Sequence, residues 1–315
     1  MHLGFTNNVV VVTGATGWFG RTALHELQRV LGPEAFLRRV RAFASRSRTI
    51  ASTGFADGVE RPFPVAPLAE LPELAEREPI DALLHTAFLT REYVERVGVK
   101  TYISVNRGIT DLVCRSLEAA PAARTVLISS GAAAALDHVA TLEEHLLADP
   151  YGVLKWEEER RLCEIADTLV LRAYAVSGRF MRDPEQFALG DFLLRALAGL
   201  PIEIKAPMPV IRGYGHAGDM VNLALRWLMS ERKPPNKPIP AVSHEVELLE
   251  LATLLSSIYN LPLLTHAIDC KLPPNRYTAD SSAYVSILDS LGIITHSLKD
   301  QVADTAYGLT SRDDF

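Results

Sequence analysis

The chain has 315 residues, 48% hydrophobic and 22% charged: enough for one large or two small domains with a sizeable core, and too apolar for a disordered chain. Its net charge of −6 argues against nucleic acid as a partner, which needs a basic face, but leaves room for a local basic pocket holding one phosphorylated small molecule. Cys114, Cys163 and Cys270 are far apart with no CxxC spacing, so no metal site and no disulfide framework is expected, and a cytoplasmic location fits; the N-terminal apolar run is too short and glycine-rich for a signal peptide or membrane span.

In chain order, "NVVVVTG" reads as a buried strand and "GRTALHELQRV" as a helix. Between them Gly14, Gly17 and Gly20 make a GxxGxxG turn, which alone suits either a tight turn or a phosphate cradle at a helix N-terminus. A second strand, Arg38–Ser45, ends in "ASRSR". No carboxylate is present there to bind a ribose 2′-hydroxyl, and a guanidinium at Arg46 beside Ser45 suits a 2′-phosphate; the plainer alternative is a solvated loop. Val59–Leu71, with three prolines, suits an edge strand or a loop.

Ile80–Phe88 reads as a strand, Asn106–Ala120 as a helix and Arg124–Ala132 as a strand. Tyr151–Ala166 follows as a helix and Thr168–Gly178 as a strand. Short apolar runs alternating with longer amphipathic ones predict βαβ units: an α/β, Rossmann-type, doubly wound parallel sheet over residues 1–177, with a return segment around 212–243. Residues 178–315 read as a smaller, mixed α/β substrate domain, with a terminal helix ending at Gly292 and a surface crossing at Ser230–Pro240.

Tyr151 and Lys155 are spaced i and i+4, so a helix puts them on one face. A nearby ammonium is expected to lower the phenol pKa and make Tyr151 a general acid/base against a carbonyl or alcohol. Upstream, "LISSGA" ends a strand at Ser129 and Ser130, where a hydroxyl can hydrogen-bond a substrate oxygen or simply form a turn.

In this order the motifs resemble those of the extended short-chain dehydrogenases/reductases, the NAD-dependent epimerase/dehydratase family. "TGATGWFG" resembles its opening TGxxGxxG, "DALLHTA" its strand-four motif, Asn106 its helix asparagine and "VLISSGA" its serine strand. Tyr151 and Lys155 match its YxxxK, "LRAYAVSGR" resembles its LRxxNVYGP, and "RGYGHAGD" its RxxxHVxD segment. The resemblance implies that Tyr151 exchanges a proton with the substrate, Lys155 holds the nicotinamide ribose, and Ser130 positions the carbonyl. It implies cofactor contacts at Gly14, Thr16, Gly17, Trp18, Phe19, Gly20, Ser45, Arg46, Thr86 and Ala87. Trp18 is expected to cover the pyrophosphate and Phe19 to pack under the helix. Asn106 is grouped with these contacts, orienting backbone and water near the site.

Departures narrow the expectation. Pro67 stands where an adenine-binding aspartate is usual, which leaves adenine to backbone and apolar contacts such as Leu68. Ala175 replaces the asparagine of LRxxN. Gly131 and Ala132 replace the acid pair of the 4,6-dehydratases, so dehydration lacks its usual acid and base.

On the substrate side, Arg212 is expected to grip a nucleotide diphosphate, with Arg276 as a second phosphate contact; a packing salt bridge from Arg212 to Asp219 is the alternative. Phe88 and Tyr174 line either the sugar pocket or the core, and His216 is expected to pack or cap. The expected function is hydride transfer at a sugar C4 keto or hydroxyl group, with NADP(H) favoured over NAD(H) through Arg46. The alternatives are an NADPH-dependent reductase of a non-nucleotide ketone or aldehyde, and a non-catalytic dinucleotide-sensing module. A homodimer is expected through the helices at Asn106–Ala120 and Tyr151–Ala166, with Leu112, Val113 and Leu162 as apolar contacts or as core.

Overall fold

In the computed structural model the described residues are 9–52, 58–121, 123–139, 143–265 and 268–311, so Asn8 of the first predicted strand lies outside them. The chain divides into two compact units. One takes the chain up to Arg172 and again Val221–Ile239; the other takes Ala173–Met220 and the chain from Pro240 onward.

The first unit begins with β1 (Val9–Thr13), α1 (Trp18–Arg39), β2 (Val40–Ala44), β3 (Arg48–Ser52), β4 (Arg61–Pro67) and α2 (Leu71–Arg77). It continues with β5 (Ile80–His85), α3 (Tyr93–Val97), α4 (Val99–Ala119), β6 (Arg124–Ser130), α5 (Glu143–Ala148), α6 (Pro150–Ile165) and β7 (Thr168–Ala173). Val10, Val11 and Val12 of β1 are 0% exposed, which is why the strand is apolar at every position rather than at alternate ones.

β1 pairs in parallel with β2 on one side and β5 on the other. The chain therefore reverses its direction across the sheet between β4 and β5, which makes the carboxyl ends of β1 and β5 the switch point beyond which ligands bind in such sheets. The sheet order is β11-β7-β6-β5-β1-β2-β4-β3, with β11 at Ile239–Ala241. Val113, Leu117 and Leu162, from α4 and α6, are buried in one apolar cluster with Leu71 of α2 and Val11 of β1.

The structure revises the sequence reading at several points. The proline-rich segment is a true strand, β4, one place in from the edge, and β3 forms the edge antiparallel to it. Of β4, only Val65–Pro67 pairs with β2, and Phe63 and Val65 are buried while Pro62 and Pro64 are exposed. The predicted helix past Gly20 runs beyond Val30 to Arg39, interrupted at Gly32 (φ +71°) just before Pro33. Val113 and Leu162 are 0% exposed and half-buried Leu112 packs against the same cluster, so of the two readings these residues take the core one.

The second unit contains β8 (Ala175–Ser177), α7 (Ala188–Leu197), β9 (Ile202–Ile204) and β10 (Val210–His216), then α8 (Ala217–Leu228), which passes back into the first unit. β12 (His244–Glu247), α9 (Leu248–Tyr259), β13 (Leu263–Thr265), β14 (Asn275–Tyr277), α10 (Ser282–Ser290) and α11 (Leu298–Thr310) complete it. The predicted strand Thr168–Gly178 is two: β7 belongs to the large sheet, whereas β8 pairs with β10. The helix ending before Gly292 is not terminal, because α11 follows it, opened by a capping box in which Ser297 and Asp300 satisfy each other's backbone N–H. Among the described residues no helix is long and apolar enough to cross a membrane.

Candidate active site

The glycine turn is built around two close approaches. Gly14 has φ +66°, and a Cβ there would lie 2.7 Å from the Ala87 nitrogen. A Cβ on Gly20 would lie 2.1 Å from the Gly14 carbonyl oxygen, so only glycine lets α1 start this close to the turn. α1 opens at Gly17 with no capping side chain and no acidic residue in its first turn. Its first N–H groups and dipole are thus available to an anion, and the turn fits a dinucleotide pyrophosphate.

Thr13 fastens this turn to the end of β5. Its hydroxyl meets His85 Nδ1 at 2.6 Å and accepts from the Thr86 backbone N–H at 3.1 Å, and its carbonyl accepts from the Thr86 hydroxyl at 2.7 Å. Trp18 and Phe19 are half-buried with ring centroids 6.5 Å apart, and Thr16 is also half-buried in the turn. Ser45 and Arg46 are exposed in the β2–β3 turn, open to a ligand reaching past the end of β2. Leu68 is 7% exposed and packs in the apolar cluster, so its side chain serves the core. Asn106 spends its amide on the loop after β5, accepting from the Leu89 N–H at 2.8 Å and donating to the Leu89 carbonyl at 3.3 Å.

Ser130 ends β6 and caps the following turn, accepting from the Ala132 N–H at 3.2 Å. Tyr151 lies in the first turn of α6, which Asp149 caps, with the Ser130 side chain near enough to its phenol to lower the phenol's pKa. The Phe88 ring meets Tyr151 edge-on at 5.8 Å, and the Arg91 guanidinium lies 5.3 Å from the Tyr151 ring centre. Burial pushes the phenol above its ordinary range; Ser130 and Arg91 pull it down, and Glu158 and Glu92 push it up.

Lys155 is 4% exposed one turn along the same helix. Its ammonium donates to Glu158 at 2.9 Å and to the Ile128 carbonyl at 3.2 Å, and lies 4.0 Å from the Phe88 ring centre. Glu158 matches the lysine charge at 2.9 Å, and a second cation, Arg91, lies against the Tyr151 ring and pulls the phenol pKa down. Glu158 is itself 0% exposed and bonds His85 Nε2 at 3.0 Å. Burial opposes its charge, but Lys155 and His85 outweigh this and hold the carboxyl below its usual range. A buried chain of contacts thus runs Thr13, His85, Glu158, Lys155. The adjacent Glu159 takes a different partner, Arg172, which also grips Asp137, and burial keeps the Glu159 carboxyl raised.

Sequence reasoning missed Arg91, His85 and Glu158. His85 carried a signal, as an imidazole inside an apolar strand, and Glu158 carried another, three residues beyond Lys155.

In the second unit, Arg212 on β10 donates through Nη1 to the Asn275 carbonyl at 2.9 Å and side-chain oxygen at 3.1 Å, and the packing bridge to Asp219 does not form. Arg276 on β14 is turned to Glu245, with both carboxylate oxygens at 2.8 Å, which weakens its reading as a phosphate contact. Tyr174 packs its ring 4.9 Å from that of Tyr277. His216 packs as expected, with Nε2 3.0 Å from Asp304. Burial disfavours its charged form, but Asp219 and Asp304 overcome this and push its pKa up to about 9.

Comparison with solved structures gives folds that match over almost the full chain. MoeE5, solved with UDP-glucose and NAD, aligns with a TM-score of 0.67 at 21% identity, over 96% of this chain and 98% of that one. A UDP-glucuronic acid 4-epimerase from Bacillus cereus, with UDP-glucuronic acid and NAD, aligns at 0.69 and 18% identity, over 95% and 98%. DesIV, a dTDP-glucose 4,6-dehydratase from Streptomyces venezuelae solved as a double mutant with NAD, aligns at 0.66 and 19% identity, over 96% and 97%. All three hold NAD, and none supports a preference for NADP. No curated protein sequence matches the chain. The model of the NAD dependent epimerase/dehydratase family matches residues 10–239, and the chain belongs to that family of enzymes.

Proposed function

We propose that this enzyme moves a hydride at C4 of a nucleotide-diphosphate sugar, as an epimerase or a 4-keto reductase, with Tyr151 as acid/base. The observation that carries the reading is the placement of the Tyr151 phenol beside the Ser130 side chain, in the same unit as an uncapped glycine cradle and with Lys155 one helical turn further on. The cradle at Gly14, Thr16, Gly17 and Gly20 would hold the dinucleotide pyrophosphate, and Lys155 the nicotinamide ribose. When bound, the nicotinamide ring supplies and accepts the hydride.

The chain's own residues manage the proton. Tyr151 gives its phenolic proton to the substrate oxygen during reduction and takes it back during oxidation. Ser130 donates to the same oxygen as charge develops on it. Arg91 stabilises the phenolate that forms, offsetting the burial that favours the neutral phenol. Lys155 has two polar partners already, which leaves one of its three N–H groups for a ligand hydroxyl. Gly131 and Ala132 after Ser130 offer no ionisable side chain as acid or base, which favours these reactions over dehydration.

Tyr151→Phe tests the assignment: turnover of a UDP-sugar or its 4-keto form falls about 10²–10⁴-fold while dinucleotide binding by calorimetry stays near wild type. Wild-type turnover in this variant sinks the reading.

A second reading, reduction of a non-nucleotide ketone or aldehyde, draws support from Arg276 and Arg212, both already engaged within their own sheet. Titration with UDP separates the two. Binding that is lost in Arg212→Ala supports the nucleotide-sugar reading, and no heat with the wild type favours the second.

A further inference from the structure

At the end of β10, His216 is 4% exposed, and its Nδ1 is buried with no hydrogen-bond partner among the described residues. That atom faces Asp219 Oδ1 at 3.8 Å, too far for a hydrogen bond. The same Oδ1 lies 2.6 Å from Nδ1 of His296, in the segment between α10 and α11. The two imidazole rings stand 4.0 Å apart, tilted by 31°. One ligand atom from each of the three residues falls within 4.8 Å of the others.

The surroundings are built to hold this arrangement. His216 Nε2 meets Asp304 at 3.0 Å, and Arg179 clamps that carboxylate at 2.8 Å. A carboxylate on the far nitrogen holds the ring so that Nδ1 faces the cluster, where an ion would displace its proton, as around metal-bound histidines. Gly218 gives the ring its place, since a Cβ there would lie 2.8 Å from His216 Cε1. Asp219 Oδ2 is taken by the His296 backbone N–H at 3.0 Å, which leaves Oδ1 for the two rings. The buried hydroxyl of Tyr284 also lacks a partner among the described residues, and it lies close enough to Asp219 to feel its charge. Two orphaned polar atoms around one carboxylate are costly unless something fills the space between them.

We propose that His216, Asp219 and His296 bind a divalent transition-metal ion of the zinc class, with Asp304 as the outer carboxylate. Two imidazoles and one carboxylate suit such an ion and disfavour Mg²⁺ or Ca²⁺, which take oxygen ligands. Metal–ligand bonds of about 2.1 Å in tetrahedral geometry set the ligands roughly 3.4 Å apart. His216 and Asp219 are close to that spacing, and His296, whose side chain is 42% exposed, has room to swing outward. The ion would fasten the segment before α11 to the β10–α8 corner and leave a fourth position for water.

The test uses the full chain without a histidine tag, stripped with chelator and titrated with Zn²⁺, and separately with Co²⁺ followed by visible absorption. One ion per chain, the visible bands of four-coordinate cobalt, and at least tenfold weaker binding in His296→Ala support the site. His296 is partly exposed, so its loss is tolerated by the fold, and thermal melting checks this. Asp304→Asn keeps all three ligands and should weaken binding about 10–100-fold, which a site without this outer carboxylate would not show. Equal zinc binding by wild type and His296→Ala, no binding above background, or equal competition by Mg²⁺ overturns the proposal.

Discussion

Tyr151 and Lys155 share a helix face, yet different neighbours govern their charges. The phenol answers to burial, Ser130 and Arg91, whereas the ammonium is matched by Glu158. Glu158 therefore acts on the site indirectly, because its charge raises the Tyr151 pKa. Glu158→Gln should move the rising limb of the pH profile for alcohol oxidation to lower pH, measured as kcat/KM against pH; an unmoved limb would falsify this coupling. The same carboxyl is held below its ordinary value of 4.5. Its stabilisation is complete above that pH and is lost as pH falls through its folded value, so the acid-side drop in thermal stability should shrink in the variant. Nothing local in the sequence joins Glu158 to His85, since 73 residues separate them. Lys155 was legible because its partner in the motif is four residues away; Glu158, three residues beyond it, was passed over because its burial depends on the distant His85.

The elements show the same split between local and distant signals. β1, the glycine turn and α1 were readable because backbone freedom and burial are written into adjacent residues. Gly20→Ala tests how tightly that unit is built: its Cβ would strike the Gly14 carbonyl, which is backbone and cannot swing away. A loss of about 1–3 kcal/mol in urea denaturation is expected, together with loss of dinucleotide binding. Wild-type stability and affinity would show that the turn has slack. β3 was missed because a short exposed edge strand carries little apolar pattern. β7 and β8 were merged because "TLVLRAYAVS" is continuously β-prone, and only tertiary pairing divides it after Ala173. α11 was missed although Ser297 and Asp300 mark its start, since its apolar spacing is weak. Of the two helices read as a dimer face, α6 lies where it was expected and α4 starts seven residues before Asn106; α2 packs on α4, and Val113 and Leu162 are buried in the apolar cluster.

At the scale of the whole molecule, the cofactor reading depends on three strand ends at once: β1 for the pyrophosphate, β5 for the loop beyond it, and β2 for the ribose. Arg46, exposed after β2, is where NAD and NADP would part. Arg46→Ala should weaken NADPH about tenfold or more while leaving NADH within about twofold, by fluorescence titration. Equal losses would remove the argument for a 2′-phosphate and agree with the NAD found in the structural neighbours. The division of the chain carries a different consequence. The first unit is not complete at Arg172, because Val221–Ile239 belongs to it. That return segment brings Trp227, 0% exposed, with its ring 4.0 Å from the Arg124 guanidinium. During synthesis the first unit therefore has to wait, with the β7 edge of its sheet unpaired by β11, until the ribosome has made some sixty-seven further residues. A gene cut after the seventh strand would yield a chain with an open flank, prone to aggregate, and the two halves of this enzyme cannot be exchanged between relatives at a single splice point.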